Sequence, residues 1–104
     1  MKSYWVYILH CSDDSYYTGS TDNLEKRIYE HIHGKYKGYT STRLPVYLVY
    51  SQEFQNVKDA IKAERQIKSW SRKKKEALIN GDFILLHNLA ECKNESNYKN
   101  KKMK

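Results

Sequence analysis

Two short runs dense in aromatic and β-branched residues, separated by a turn, constrain this chain most. Residues 4–9 read Tyr-Trp-Val-Tyr-Ile-Leu, a composition that suits a pleated, packed surface and predicts a strand. The segment Ser12-Asp13-Asp14-Ser15 is turn-like. Tyr16 to Ser20 reads as a second strand, so the pair predicts a hairpin. Side chains alternate across a strand. Trp5, Tyr7 and Leu9 therefore share one face, and Tyr17 and Gly19 share one face of the partner.

The period then changes from two to nearly four. Thr21-Asp22 opens a helix, with Asp22 and Glu25 spaced like a capping box. Leu24, Ile28 and Ile32 recur every four residues and predict its buried stripe. Arg27 and His31 are also four apart and stack on one flank of that stripe. Gly34 is a natural helix stop. Residues 34–45 read as a loop that mixes Lys35, Lys37 and Arg43 with Tyr36 and Tyr39. Val46 to Tyr50 reads as a third strand. Asn56 and Asp59 look like the cap of a second helix running to about Trp70. Ser71 to Asn80 reads as a third, strongly basic helix ended by Gly81. Asp82 to Leu89 reads as a short fourth, with Phe83, Leu86 and Leu89 facing inward. The order predicts an α/β fold in which a small, mostly antiparallel sheet is covered by helices. Residues 1–90 are expected to form one domain. Residues 91–104 are rich in Lys and Asn and are expected to be a disordered tail.

The chain has 104 residues, enough for one modest core. Lys and Arg number 19 against 12 Asp and Glu, a formal charge of +7. That balance favours a polyanionic partner: DNA, RNA or an acidic membrane surface. Cys11 and Cys92 form no CxxC pair, which excludes a disulfide framework or zinc-finger spacing and fits two reduced thiols in a cytosolic protein. No apolar leader opens the sequence, and no apolar run approaches the roughly 20 residues of a membrane span. A cytoplasmic protein without a membrane partner is expected.

One residue does not fit its helix. The second helix has apolar residues at Val57, Ala60, Ile61 and Ile67, and Glu64 lies inside that stripe. Binary patterning would place an apolar residue there, and a carboxylate facing the protein body is costly unless paired. Either it forms a salt bridge, with Lys68 or with an arginine elsewhere, or it faces a cleft and holds a metal or a proton. Tyr7 and Tyr17 on neighbouring strands, beside a helix bearing Arg27 and His31, form a comparable combination. Phosphodiester cleavage can use such groups. An arginine neutralises phosphate charge. A hydroxyl or imidazole manages the proton of water. A carboxylate holds a Mg2+-like ion.

The order and spacing of these residues resemble the GIY-YIG nuclease superfamily. Its first motif is similar to Trp5-Val6-Tyr7. Its second is similar to Tyr17-Thr18-Gly19, ten residues on from tyrosine to tyrosine. Arg27-Ile28-Tyr29-Glu30-His31 is similar to the family's Arg-xxx-His. Ala63-Glu64-Arg65-Gln66-Ile67-Lys68 is similar to the segment carrying its metal-binding glutamate. The likeness runs from about residue 4 to residue 80 and is greatest to the small, stand-alone bacterial branch of YhbQ-like proteins. It implies a three-stranded antiparallel sheet flanked by helices, and one divalent cation, Mg2+ or Mn2+, bound by Glu64. It also implies Tyr7 and Tyr17 near the scissile phosphate, Arg27 stabilising the transition state, and His31 relaying a proton with a tyrosine. Trp5 stands for the first motif's glycine and Thr18 for the second motif's isoleucine. Ser20 follows Gly19 where some relatives carry lysine. Asn80 is the one candidate for a late asparagine that lines the site in several members.

Lys68, Arg72, Lys73 and Lys74, with Lys75 and Trp70 among them, read either as a solvated helix face or as a phosphate-tracking surface. The loop cations Lys35, Lys37 and Arg43 stand beside tyrosines able to stack on bases. His10, His33 and His87 are read as structural or surface residues. The expected function is a metal-dependent DNA endonuclease, structure-selective and linked to repair or recombination, with RNA left open as substrate. No small-molecule cofactor is expected, and any protein partner is left unnamed. The alternative is a non-catalytic or partner-dependent nucleic-acid-binding module on the same fold.

Overall fold

The structure is a computed structural model that describes residues 3–88. The expected tail at 91–104, Cys92 and the inward placement of Leu89 lie outside the described residues. The chain divides into two compact units, one ending at Ser69 and the other beginning at Trp70.

In the first unit, β1 (Tyr4–His10) and β2 (Tyr16–Thr21) form the predicted hairpin. The turn closes through Cys11 N–H to Ser15 O at 2.8 Å and Asp14 N–H to Cys11 O at 2.9 Å. Asp14 sits at φ 69, a left-handed conformation that aspartate tolerates better than most residues. The register sets Tyr7 opposite Gly19 and Leu9 opposite Tyr17, so the predicted faces are the observed ones.

The third strand, β3 (Tyr47–Phe54), pairs antiparallel with the other edge of β1, giving the order β2-β1-β3. It runs four residues past the expected end at Tyr50. Ser51, Gln52 and Glu53 are exposed and polar, but each faces a β1 residue whose backbone needs a partner. Ladder hydrogen bonds therefore extend the strand where side-chain pattern gives no signal. Tyr7 and Leu9 on one face of β1, and Val6 and Ile8 on the other, are all fully buried. A central strand covered on both faces needs the continuous apolar run this sequence has.

Helix α1 (Leu24–Ile32) differs from expectation at both ends. Its N-cap is Asn23, whose side chain accepts from Lys26 N–H, because Thr21 is still paired in β2. Leu24 and Ile28 pack against the core formed by Tyr7, Leu9, Cys11 and Val46. Ile32, expected to complete the stripe, is 47% exposed, and His31 is fully buried in its place. The last turn of α1 faces the Tyr7 hydroxyl, which an imidazole can satisfy and an alkyl chain cannot. Gly34, just past the helix, takes φ 69 as a helix stop should.

Helix α2 (Val57–Lys68) starts at its predicted cap, Asn56, and lies against all three strands. Its inner face is Ala60 and Ile67, with Ala63 and Glu64 partly buried, while Val57 and Ile61 are exposed. Glu64 is therefore on the side that faces the sheet. Between α1 and β3, Thr40–Thr42 forms one 3-10 turn within the predicted loop.

In the second unit, α3 (Arg72–Asn80) has its predicted ends, with Ser71 accepting from Lys74 N–H and Gly81 at φ 73. Residues 83–88 are helical, and the Asp82 carboxylate accepts from Leu85 N–H at 3.1 Å. Phe83, expected to face inward, is 65% exposed, whereas Leu86 is partly buried. A single pair of apolar residues three apart is too short a pattern to fix which way a helix turns.

Gly19 is the closest backbone approach in the hairpin. A Cβ built on it would lie 2.5 Å from the Tyr7 hydroxyl oxygen and 2.7 Å from the ring carbon that bears it. Gly19→Ala is expected to lower unfolding stability by about 1–3 kcal/mol through overpacking. Urea denaturation measures it. An unchanged midpoint would mean that Tyr7 does not lie across this glycine.

Candidate active site

Of the five residues that the sequence nominates for catalysis, Tyr7, Tyr17, Arg27, His31 and Glu64, the first four converge where the hairpin meets α1. Tyr7 Oη lies 2.9 Å from His31 Nε2, and both residues are fully buried. The rings of Tyr7, Tyr17 and His31 contact one another pairwise, with centroids 5.3–6.3 Å apart. The Arg27 guanidinium acts on the Tyr7 phenol through its positive charge. It also stacks over the Tyr36 ring at 4.5 Å, and the Tyr36 ring packs in turn on His31 at 4.5 Å. Arg27 keeps Glu30 at 3.4 Å on its solvent side. An open polar cleft of about 180 Å³ adjoins it, lined by Thr21, Asp22, Asn23, Lys26, Arg27 and Glu30.

Glu64 enters from α2. Its Oε1 accepts from the Ser20 hydroxyl at 2.7 Å, and its Oε2 lies 3.0 Å from the Lys68 ammonium. The salt bridge considered from the sequence is therefore present. It does not bury the carboxylate, whose side chain remains 17% exposed beside a half-exposed lysine. An ion pair of that exposure contributes under about 1 kcal/mol and is displaceable. Glu64 is also tied to the tyrosine group electrostatically, since its charge acts on Tyr17.

The protonation of this cluster follows from burial and charge. Burial, then the neighbouring Tyr17, pushes the Tyr7 phenol well above its ordinary range, against the opposing pull of Arg27. Tyr17 is pushed up to about 12 by burial, by Tyr36 and by Glu64, again against Arg27. His31 is pushed down to about 4 by burial and by the Arg27 guanidinium, with Glu30 opposing. At neutral pH the cluster therefore holds two neutral phenols, one neutral imidazole and one guanidinium. Tyr17 and Arg27 are partly exposed and Tyr7 and His31 are not, so the first two form the outer surface of the group.

The predicted surface cations differ in how far they are engaged, and even the exposed Lys35 has its ammonium 5.5 Å over the Tyr29 ring. Arg43 is held by Asp13 at 2.9 Å and by the Tyr39 carbonyl at 2.8 Å, and its guanidinium lies 3.8 Å over the Tyr39 ring. Lys68 pairs with Glu64, and Arg72 pairs with Glu76 at 3.0 Å. Lys74 is buried, its ammonium 4.6 Å over the Trp70 ring. Lys35, Lys37 and Lys73 are exposed. Asn80 is exposed at the end of α3, in the second unit. Sequence reasoning missed three further residues of the site. Ser20 and Thr40 are hydroxyls within hydrogen-bond reach of Glu64 and His31. Tyr36 was read only as a loop aromatic. No spacing rule points to them: Glu64 is distant from Ser20 in sequence, and Tyr36 and Thr40 meet His31 across a loop without helix or strand period.

Residues 3–77 match the family model described as the GIY-YIG catalytic domain. The chain is 46% identical over 79 residues to the UPF0213 protein SH2523 of Staphylococcus haemolyticus, spanning 76% of this chain and 96% of that one. It is 47% identical over 85 residues to the UPF0213 protein YsiG of Lactococcus lactis, spanning 81% and 82%. Among solved structures, the UPF0213 protein BH0048 of Bacillus halodurans is 41% identical with a TM-score of 0.51, over 75% of this chain and 83% of that one. The protein EF2693 of E. faecalis is 30% identical with a TM-score of 0.52, over 97% of each chain.

The low pKa of His31 sets a pH dependence. Its folded value of about 4 lies below the ordinary 6.5, so the unfolded chain binds the proton more readily. The stability it contributes is present above about 6.5 and is lost as pH falls towards 4, up to about 3 kcal/mol. NMR titration of the His31 ring is expected to show no protonation near pH 6.5, with urea midpoints falling across that window. A ring that titrates near 6.5 would mean His31 is not buried against Arg27.

Proposed function

Because the chain belongs to the GIY-YIG nuclease family, we propose that it is a divalent-metal-dependent endonuclease hydrolysing phosphodiester bonds in DNA. The observation that carries this reading is the convergence of Tyr7, Tyr17, Arg27 and His31 into one contacting group, with the Glu64 carboxylate acting on its outer member.

The donor chemistry of Glu64 fits a cation. Mg2+ is held through one or two carboxylates, with water and phosphate oxygens completing its shell. Glu64 offers one partly exposed carboxylate beside the Ser20 hydroxyl. Glu64 would hold the ion from the protein side. When bound, such an ion supplies positive charge to a phosphate oxygen and acidity to a bound water.

The chain's own residues do the rest. Arg27, partly exposed beside its polar cleft, meets the phosphate and stabilises charge developing on its oxygens. Tyr17 orients the attacking water by hydrogen bonding and stays neutral, because its phenol is pushed up to about 12. Tyr7 and His31 manage the proton. As the Tyr7 oxygen takes a proton from water, its own hydrogen passes to the neutral imidazole, so no isolated phenolate has to form. The exposed cations Lys35, Lys37 and Lys73 track the backbone without reading sequence. Substrate selection by shape, at branches or lesions in repair or recombination, fits contacts made to the backbone. RNA shares the same electrostatics.

One observation favours a second reading, a nucleic-acid-binding module without chemistry: Tyr7 and His31 have no solvent exposure. For cleavage, Tyr17 and Tyr36, which pack on the His31 ring, must admit water to Tyr7.

The test uses supercoiled plasmid and branched DNA with Mg2+, with Mn2+ and with EDTA. Metal-dependent nicking is expected, reduced by roughly 10²-fold or more in Arg27→Ala and Tyr7→Phe and abolished in Glu64→Ala. Mn2+ should also broaden NMR signals around Glu64 in the wild type and not in Glu64→Gln. Nicking that survives Glu64→Ala would overturn the metal assignment. Binding without nicking would establish the second reading.

A further inference from the structure

His31 makes a second hydrogen bond, on the nitrogen turned away from Tyr7. Its Nδ1 lies 2.7 Å from Thr40 Oγ1, and Thr40 is 1% exposed. We propose that Thr40 is a positioning residue that holds the His31 proton on Nδ1, leaving Nε2 bare to accept the Tyr7 hydrogen. This inference rests on the proton-handling role given to Tyr7 and His31 above.

Donor strength fixes the direction of the chain of bonds. A neutral imidazole has one N–H and one bare nitrogen, and the partner of one decides the role of the other. Two hydroxyls compete for the bare nitrogen. The phenol of Tyr7 is far more acidic than the alcohol of Thr40, so it is the stronger donor and the poorer acceptor. Arg27 adds to this. A guanidinium is always charged, and its positive charge acts on the Tyr7 phenol, which polarises the O–H further. The better arrangement has Tyr7 O–H donating to Nε2 and Nδ1–H donating to the Thr40 oxygen. With the opposite tautomer Nε2 would already carry a hydrogen and could take nothing from Tyr7.

The position of Thr40 is itself built. It begins the 3-10 turn Thr40–Thr42, and its carbonyl accepts from Arg43 N–H at 3.0 Å. The Arg43 side chain holds the preceding carbonyl, that of Tyr39, and reaches across to Asp13 in the β1–β2 turn. The Arg43 carbonyl accepts from Ser12 N–H at 3.0 Å. Two links from one residue therefore anchor the turn that carries Thr40 to the hairpin that carries Tyr7. Arg43, read from the sequence as a phosphate contact, has a structural task that accounts for its place.

The tautomer is read directly from ¹⁵N chemical shifts and couplings of the His31 ring, in the full chain and without substrate. In the wild type the proton is expected on Nδ1. In Thr40→Val, which keeps the shape and removes the acceptor, the population is expected to shift towards Nε2–H. Thr40→Ser is expected to restore it and keeps the test open if the valine variant fails to fold. Cleavage should fall by roughly 10²-fold in Thr40→Val and recover in Thr40→Ser, with affinity for DNA held uncleaved in Ca2+ unchanged. A wild-type ring protonated on Nε2, or a ring indifferent to Thr40→Val, would overturn the proposal. If the wild type cuts no DNA, the proposed function fails while the ring spectra still decide the tautomer.

Discussion

The hydrogen bond between the Tyr7 hydroxyl and the His31 imidazole organises the first unit, because water reaches neither residue. Both are fully buried. An unpaired hydroxyl or imidazole in that position would cost several times what one hydrogen bond contributes. The pair therefore fixes which side of α1 faces the sheet. It sends Ile32 to the surface and brings Arg27, one turn before His31, against the same phenol. The hairpin meets the same demand from its side: only a glycine at position 19 leaves room for the Tyr7 ring to lie across β2.

Local rules made much of this legible. The hairpin and its faces follow from strand alternation, and three helix ends follow from Asn56, Ser71 and Gly81. Glu64 was visible as a carboxylate inside an apolar stripe, and it does face the sheet. The failures have a common cause. Ile32 was placed inside because a period of four continues through it, and only the distant phenol of Tyr7 reverses that preference. The extension of β3 came from backbone pairing, to which polar side chains are indifferent. Ser20, Tyr36 and Thr40 were silent because hydroxyls and tyrosines acquire meaning from partners elsewhere in the chain, and one sequence does not announce long-range pairs.

Charge counting failed in the same way. A formal charge of +7 says that a polyanion will be attracted, but not which cations are free to meet it. Arg43 holds a turn to the hairpin, Lys74 lies over Trp70 and Lys68 balances Glu64. Lys35, Lys37 and Lys73 remain exposed. The salt bridge of Glu64 with Lys68 is present and leaves the proposed cation-ligand role compatible with it. A partly exposed carboxylate with a displaceable lysine has its charge balanced at rest and can exchange that partner for another cation.

Burial also divides the work of the site. Burial and the Arg27 guanidinium hold the His31 pKa down to about 4, so the imidazole is neutral at neutral pH and is at the same time a weak base. The same burial removes Tyr7 from water, so the group best placed to pass on a proton cannot itself be reached at rest. Tyr17 and Arg27 bridge the difference: each contacts the buried pair and each is partly exposed. Phosphate charge arriving at Arg27 would compete with Tyr7 for the guanidinium. Withdrawing Arg27 from Tyr7 and His31 would weaken the charge that opposes protonating the imidazole. On the proposed reading, substrate binding and proton acceptance would be coupled through the charge of one guanidinium.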